Sequence, residues 1–116
     1  MEVLEFELRL TSHSNARMGW RAHQRIKITE KCVLNAAWLL HFGFPAPVFE
    51  FPLTVSMIRI APRPLDDDNL QGAFKYIRDE IARCLGLSND AGPEVKWRYA
   101  QEKGGPKKHA VRIEIE

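Results

Sequence analysis

The chain has 116 residues, of which 45% are hydrophobic and 28% charged, and its formal net charge is +2 at pH 7. This composition excludes an intrinsically disordered chain, and the length suits a single domain over residues 1–116 with one modest core. The most apolar region, positions 33 to 51, is interrupted by polar residues and prolines, so we predict no membrane span. The N-terminus is acidic, unlike a secretory signal, and we expect a cytoplasmic protein.

The first half of the chain predicts a strand, a long loop, a helix and a second strand. Apolar residues alternate from Leu4 to Leu10, which indicates a half-buried strand. The aperiodic segment Thr11–Ile28 predicts a loop or hairpin. Thr29 is the expected cap of a helix that runs to about residue 41, with Gly43 just past its end. A β-branched run over residues 53–60 predicts a more central strand.

The second half carries the strongest helical pattern. Apolar residues recur every three or four positions from Leu70 to Leu85, and Gly86 marks the stop. Two alternating runs, at 95–99 and 111–115, predict two further strands joined by a glycine-containing loop. The expected order is therefore β-α-β-α-β-β, an α+β domain in which two helices pack on a mixed sheet.

Charge is distributed unevenly along the chain. Every charged residue between Leu8 and Thr29 is basic, and positions 96 to 112 carry six basic residues against one acidic residue. Acidic residues are instead concentrated at Asp66, Asp67 and Asp68. Two basic segments around an acidic cluster are expected of a protein that grips a polyanion with its flanks and holds a divalent cation between them.

The acidic cluster allows two interpretations. Asp68, followed three residues later by Gln71, matches a helix capping box. Capping accounts for one carboxylate, whereas three adjacent carboxylates repel one another unless a cation offsets the repulsion. In an extended segment Asp66 and Asp68 would point to the same side, which suits two ligands of Mg²⁺. Further along, the composition around Asn89 and Asp90 is by itself more typical of a turn.

The two acidic positions have a distinctive spacing, which is Asp66-x-Asp68-Asn69-Leu70-Gln71, an apolar helix, and then Leu87-Ser88-Asn89-Asp90. This pattern resembles the RusA family of Holliday junction resolvases, which are small phage and bacterial endonucleases. The resemblance extends to a Ser14-Asn15-x-Arg17 loop after the first strand and to the basic loop between the last two strands. Only the acidic motif is specific.

The resemblance implies a structure-selective endodeoxyribonuclease that hydrolyses four-way DNA junctions with Mg²⁺ or Mn²⁺. Asp66, Asp68 and Asp90 match the carboxylates that bind the catalytic metal. The position of the family's lysine is Gly72 here, and we expect Lys75, one turn further on, to replace it; its other role is a solvated lysine paired with Asp79. A homodimer is expected, because a junction has two-fold character and needs two related nicks.

Contact with DNA is expected of residues in the two basic segments and at the acidic helix start. These are Asn15, Arg17, Arg21, Arg25, Lys27, Asn69, Lys103, Lys107 and Lys108. The lysines of the last loop equally suit a solvated surface. The glycines form no nucleotide-binding motif, so no nucleotide cofactor is expected. Two alternatives stay open: a non-catalytic junction-binding protein of the same fold, which Gly72 favours, and a nuclease that prefers flaps or forks.

Overall fold

A computed structural model describes residues 1–10 and 19–116. The elements in chain order are β1 (Glu2–Glu7), α1 (Trp20–Phe42), β2 (Leu53–Ala61), α2 (Asp67–Ala73), α3 (Lys75–Cys84), β3 (Val95–Lys103) and β4 (Ala110–Ile115). The predicted α+β class is confirmed. Within the described ranges, none of the helices combines the length and apolar character needed to cross a bilayer.

The four strands form one mixed sheet in the order β1-β4-β2-β3. The strand β2 runs parallel to β3 and antiparallel to β4, and β1 is antiparallel to β4. The predicted central position of β2 is therefore confirmed. The last two strands are consecutive in the chain but lie on either side of β2, so the loop between them crosses the end of that strand.

The first helix is longer than the sequence predicts. It begins at Trp20 rather than at Thr29, so the loop predicted over residues 20–28 is wrong, and its N-cap is Gly19 without a side-chain hydrogen bond. This first part is rich in helix-favouring arginine, alanine, glutamine and lysine but has no apolar stripe. The buried positions begin only at Glu30 and recur at Leu34 and Trp38, one turn apart. Periodicity therefore detects the packed half of the helix alone.

The predicted second helix is two helices separated at Phe74. That residue has φ −91° and ψ 3°, and its backbone N–H donates to the carbonyl of Gln71 at 3.2 Å, the tighter spacing of a 3₁₀ turn. The predicted apolar stripe is nevertheless confirmed, because Leu70, Ile77 and Ile81 are all buried. The break therefore leaves the buried stripe continuous.

The three helices of the described residues cover one face of the sheet, and none of the three packs on the other face. Val55, Met57 and Val111 contribute from the strands to the main core beneath the helices. On the opposite face, Ile58 and Ile60 form a small cluster with Ala110, shielded by the β3–β4 loop. A Cβ at Gly104 in that loop would lie 3.0 Å from the Lys108 carbonyl oxygen and 3.2 Å from Ile60 Cγ2, so glycine permits the close approach.

Candidate functional site

The residues Asp66–Asp68, here called the acidic turn, form the start of α2. Asp66 is the N-cap: its backbone is extended, and its Oδ1 accepts a hydrogen bond from the backbone N–H of Asn69 at 3.0 Å. The prediction that Asp68 caps the helix is wrong, because Asp67 and Asp68 already belong to the first helical turn. The extended geometry on which Asp66 and Asp68 would share one side is also not observed. All three carboxylates are exposed.

The acidic turn is held against β3 by its preceding residue. The backbone N–H of Leu65 donates to Oε1 of Gln101 at 3.0 Å, and Nε2 of Gln101 donates to the Leu65 carbonyl at 2.7 Å. The Gln101 side chain therefore bonds both the backbone N–H and the carbonyl of Leu65, as the backbone of a neighbouring strand would. This pair of bonds fixes where the chain enters the acidic turn.

Asp90 is engaged with an arginine from α3. The Nε atom of Arg78 lies 2.6 Å from Oδ2 of Asp90, close enough for an ion pair, although Nε has no partner with hydrogen-bond geometry in the described part of the chain. The Asp90 carbonyl accepts two hydrogen bonds, from Nη2 of Arg78 at 3.0 Å and from the indole Nε1 of Trp97 at 2.9 Å. The neighbouring Asn89 closes a turn through its Oδ1, which accepts from the Ala91 backbone N–H at 2.9 Å. The turn expected here from composition is thus observed.

Arg78 is a central residue of this region that sequence reasoning missed. Its Nη1 donates to the Tyr99 hydroxyl at 2.8 Å, and its guanidinium carbon lies 4.8 Å from the centre of the Trp97 ring. Trp97 and Tyr99 are half-buried at the edge of the core and present their polar ends to Asp90 and Arg78. No spacing in the sequence links a helical arginine to an aspartate twelve positions later, so no local pattern could have indicated the pair.

Asp66 and Asp90 are tied to different points on the same face of β3. Asp90 is anchored at Trp97 and the residue before Asp66 at Gln101, four positions apart, which corresponds to about 13 Å along a strand. Ligands of one Mg²⁺ lie only about 2 Å from the ion. Consistently, no group of three His, Cys, Asp or Glu side chains among residues 1–10 and 19–116 is arranged to hold a metal ion.

Lys75 is the exposed first residue of α3. The expectation that Lys75 replaces the lysine absent at Gly72 placed both positions on one helix, whereas the structure places them on two helices that meet at Phe74. Asn69 lies half-buried in α2, close behind the acidic turn. A catalytic role for Lys75 stays a prediction.

The other predicted DNA-contacting residues are spread over several elements. Asn15 and Arg17, with Ser14, lie outside the described residues. Three others are on α1 rather than in a loop, with Arg21 and Arg25 exposed and Lys27 half-buried. The remaining three are exposed at the end of β3 and in the loop that follows: Lys103, Lys107 and Lys108.

A second feature that the sequence did not indicate is a recess of about 610 Å³ beside the acidic turn, here called the basic recess. Its polar lining residues are Arg9, Arg59, Arg63 and His109, and among the described residues that line it none is acidic. Leu65 also lines it, and Asp66 follows directly in the chain. Basic and acidic groups therefore meet at one end of the sheet.

The chain matches no model of a known protein family, and no curated protein matches it either. The likeness to RusA resolvases consequently rests on the spacing of the acidic motif.

Proposed function

We propose that this protein is a structure-selective endodeoxyribonuclease that cleaves four-way DNA junctions, with Mg²⁺ or Mn²⁺ as cofactor, and acts in the cytoplasm. The observation that carries the proposal is the position of the exposed acidic turn directly beside the basic recess. Hydrolysis of a phosphodiester needs cationic groups that bind the phosphate and groups that position and deprotonate the attacking water. A phosphate bound in the recess would lie next to Asp66.

The carboxylates fit the metal in their chemistry but not in their arrangement. Oxygen ligands of this kind suit Mg²⁺, and Asp66 and Asp68 would hold it. Asp66 is already used as a helix cap, however, and Asp90 is paired with Arg78. The three groups, all within the described residues, do not form one site in this structure.

A second candidate is a protein of this fold that binds DNA junctions without cleaving them. Two observations favour it: Gly72 stands where the resemblance leads one to expect a lysine, and the Asp90 carboxylate is neutralised by Arg78. The basic recess and the cations of α1 would serve binding alone equally well. A nuclease that prefers flaps or forks is the remaining variant of the first candidate.

We further propose that the protein acts as a homodimer. Support comes from exposed apolar side chains at the end of α1 and just beyond it, since Leu40, Phe44 and Val48 are each at least 89% exposed. Large exposed apolar groups close together mark surfaces that other proteins cover. Sedimentation of the free protein and of its complex with a junction tests this, and a monomer in both would contradict it.

Cleavage is tested with end-labelled four-way junction, flap, fork and linear duplex, each incubated with and without Mg²⁺. Paired, symmetrical nicks only in the junction and only with the metal would support the resolvase. Cleavage of flaps or forks instead would identify these structures as the preferred substrate. Tight junction binding without any nicks, with Mn²⁺ also tried, would favour the non-catalytic candidate.

A further inference from the structure

The basic recess is assembled from the ends of three strands. The backbone N–H of Leu8 donates to the His109 carbonyl at 3.3 Å, which places the residues after β1 beside the start of β4. Arg59 lies on β2 opposite Val111 of β4, on the face of the sheet that carries the main core. Residues 62 to 65 close the recess as the chain leaves β2 for the acidic turn.

One arginine of the recess has a fixed orientation. Nη1 of Arg59 donates to the backbone carbonyl of Arg63 at 2.8 Å, so its guanidinium is held across the short segment after β2. Arg59 is half-buried, whereas Arg9 and Arg63 are exposed at the rim. Among the described residues this bond uses one of the five donor hydrogens, and the others can serve a ligand.

The electrostatics of the recess favour an anion. Burial, followed by the repulsion of the nearby Arg9, lowers the pKa of the Arg59 guanidinium. Both effects penalise the positive charge, and an anion in the recess would offset both. Guanidinium groups bind the paired oxygens of a phosphate in a bidentate manner.

We propose that the basic recess is a phosphate-binding subsite that takes a backbone phosphodiester of DNA, with Arg59 and Arg63 as its main ligands. The inference rests on the proposed function only for the identity of the polymer. None of these residues belongs to the set expected from the sequence to contact DNA. The subsite would set the position of the strand beside Asp66, independently of any metal.

The test is binding of a fluorescently labelled four-way junction in EDTA, measured by anisotropy at several NaCl concentrations. Arg59→Gln and Arg63→Gln are compared with the wild type. Arg98→Gln is the matched control, because Arg98 is an exposed arginine of β3 on the sheet face opposite Trp97 and the helices. Arg63 is exposed, and its contact with the other residues of 1–10 and 19–116 is the bond that its backbone carbonyl accepts, so its substitution should leave the fold intact even if Arg59→Gln lowers the melting temperature.

We expect each recess variant to bind about tenfold more weakly at 0.05 M NaCl. We also expect the slope of log Kd against log salt to fall by about 0.9, the change for one lost phosphate contact. Arg98→Gln should leave the slope unchanged. Equal effects of all three variants would mean that the recess arginines act only through the net charge of the protein, and this would overturn the proposal. Absence of DNA binding by the wild type would also overturn it.

The outcome is separable from that of the proposed nuclease function. Binding that depends on Arg63 in a protein that never nicks DNA would support the subsite and contradict the nuclease. Metal-dependent cleavage, together with DNA binding that is unchanged in Arg59→Gln and Arg63→Gln, would support the nuclease and contradict the subsite.

Discussion

Nε of Arg78 lies 2.6 Å from Oδ2 of Asp90, so a cation of α3 neutralises the later of the two acidic positions. The same guanidinium contacts the Asp90 carbonyl and the Tyr99 hydroxyl, which connects α3, the turn after it and β3. A metal that binds Asp90 must therefore compete with Arg78, and a phosphate that binds Arg78 must compete with Asp90. The Arg78–Asp90 pair therefore bears both on the stability of the fold and on the proposed chemistry.

Replacing Arg78 should destabilise the fold markedly. Arg78→Ala removes hydrogen bonds to the Tyr99 hydroxyl and the Asp90 carbonyl and leaves the half-buried Asp90 without its ion-pair partner. We expect a loss of about 2 kcal/mol in the free energy of unfolding, measured by urea denaturation. Arg98→Ala, an exposed arginine on the other sheet face, should change it by no more than about 0.5 kcal/mol. Similar losses in both would contradict a structural role for Arg78.

Asp90→Asn separates the metal role from the turn role. If Asp90 binds metal during catalysis, cleavage is lost while junction binding is unchanged or tighter, because one negative charge no longer repels DNA phosphates. The variant should also melt at a lower temperature, since the ion pair with Arg78 is gone. A lower melting temperature with cleavage at the wild-type rate would assign Asp90 to structure alone.

Substitutions in the acidic turn distinguish a metal-ligand role of its carboxylates from a helix-capping role. Asp66→Ala removes the N-cap and should cost about 1 kcal/mol, whereas Asp66→Asn keeps a good cap and should cost little. If both carboxylates ligate a metal, Asp66→Asn and Asp68→Asn each abolish Mg²⁺-dependent cleavage at nearly unchanged stability. Thermal melts and junction cleavage on the same preparations give both readouts. Asn variants that cleave normally would show that the acidic turn only starts α2.

The proposed role of Lys75 is tested by single-turnover cleavage of a junction. A cation that stabilises the developing charge on the phosphate is expected to contribute about 10²-fold or more in rate, so Lys75→Ala should lose that factor without losing binding. Lys75→Arg keeps the charge, and Asp79→Ala removes the lysine's alternative helical partner. Cleavage by Lys75→Ala within about a factor of two of the wild type would exclude a catalytic role.

Stability at low pH should depend on Glu80. This carboxylate is buried, and hydrogen bonds from Arg83, and more weakly from Asn35, lower its pKa from the ordinary 4.5 despite the opposing effect of burial. A pKa lower in the folded state means that the contribution is complete above pH 4.5 and is lost as the pH falls through the folded value. Urea denaturation at pH 7, 5 and 3.5 should show a smaller acid loss in Glu80→Gln. An identical pH dependence in that variant would contradict this assignment.

Helices and strands that are marked by a pattern within a few neighbouring residues could be predicted from the sequence alone. The stripe from Leu70 to Leu85, the alternation in β4 and the helix stop at Gly86, whose φ of 82° suits glycine, all follow from periodicity and backbone preference within a few residues. The α+β class follows from the order of such elements. The acidic turn, too, was visible as a run of adjacent residues.

The contacts between groups far apart in the chain follow from the tertiary structure. The pairing of Arg78 with Asp90 joins a helix to a turn, and the basic recess draws Arg9, Arg59 and His109 from three separate strand ends. Local patterns carry no information on such contacts, because they depend on strand order and on the direction in which each element packs. The break at Phe74 was likewise not indicated by the pattern, because periodicity describes which residues are buried and not where the backbone leaves helical geometry.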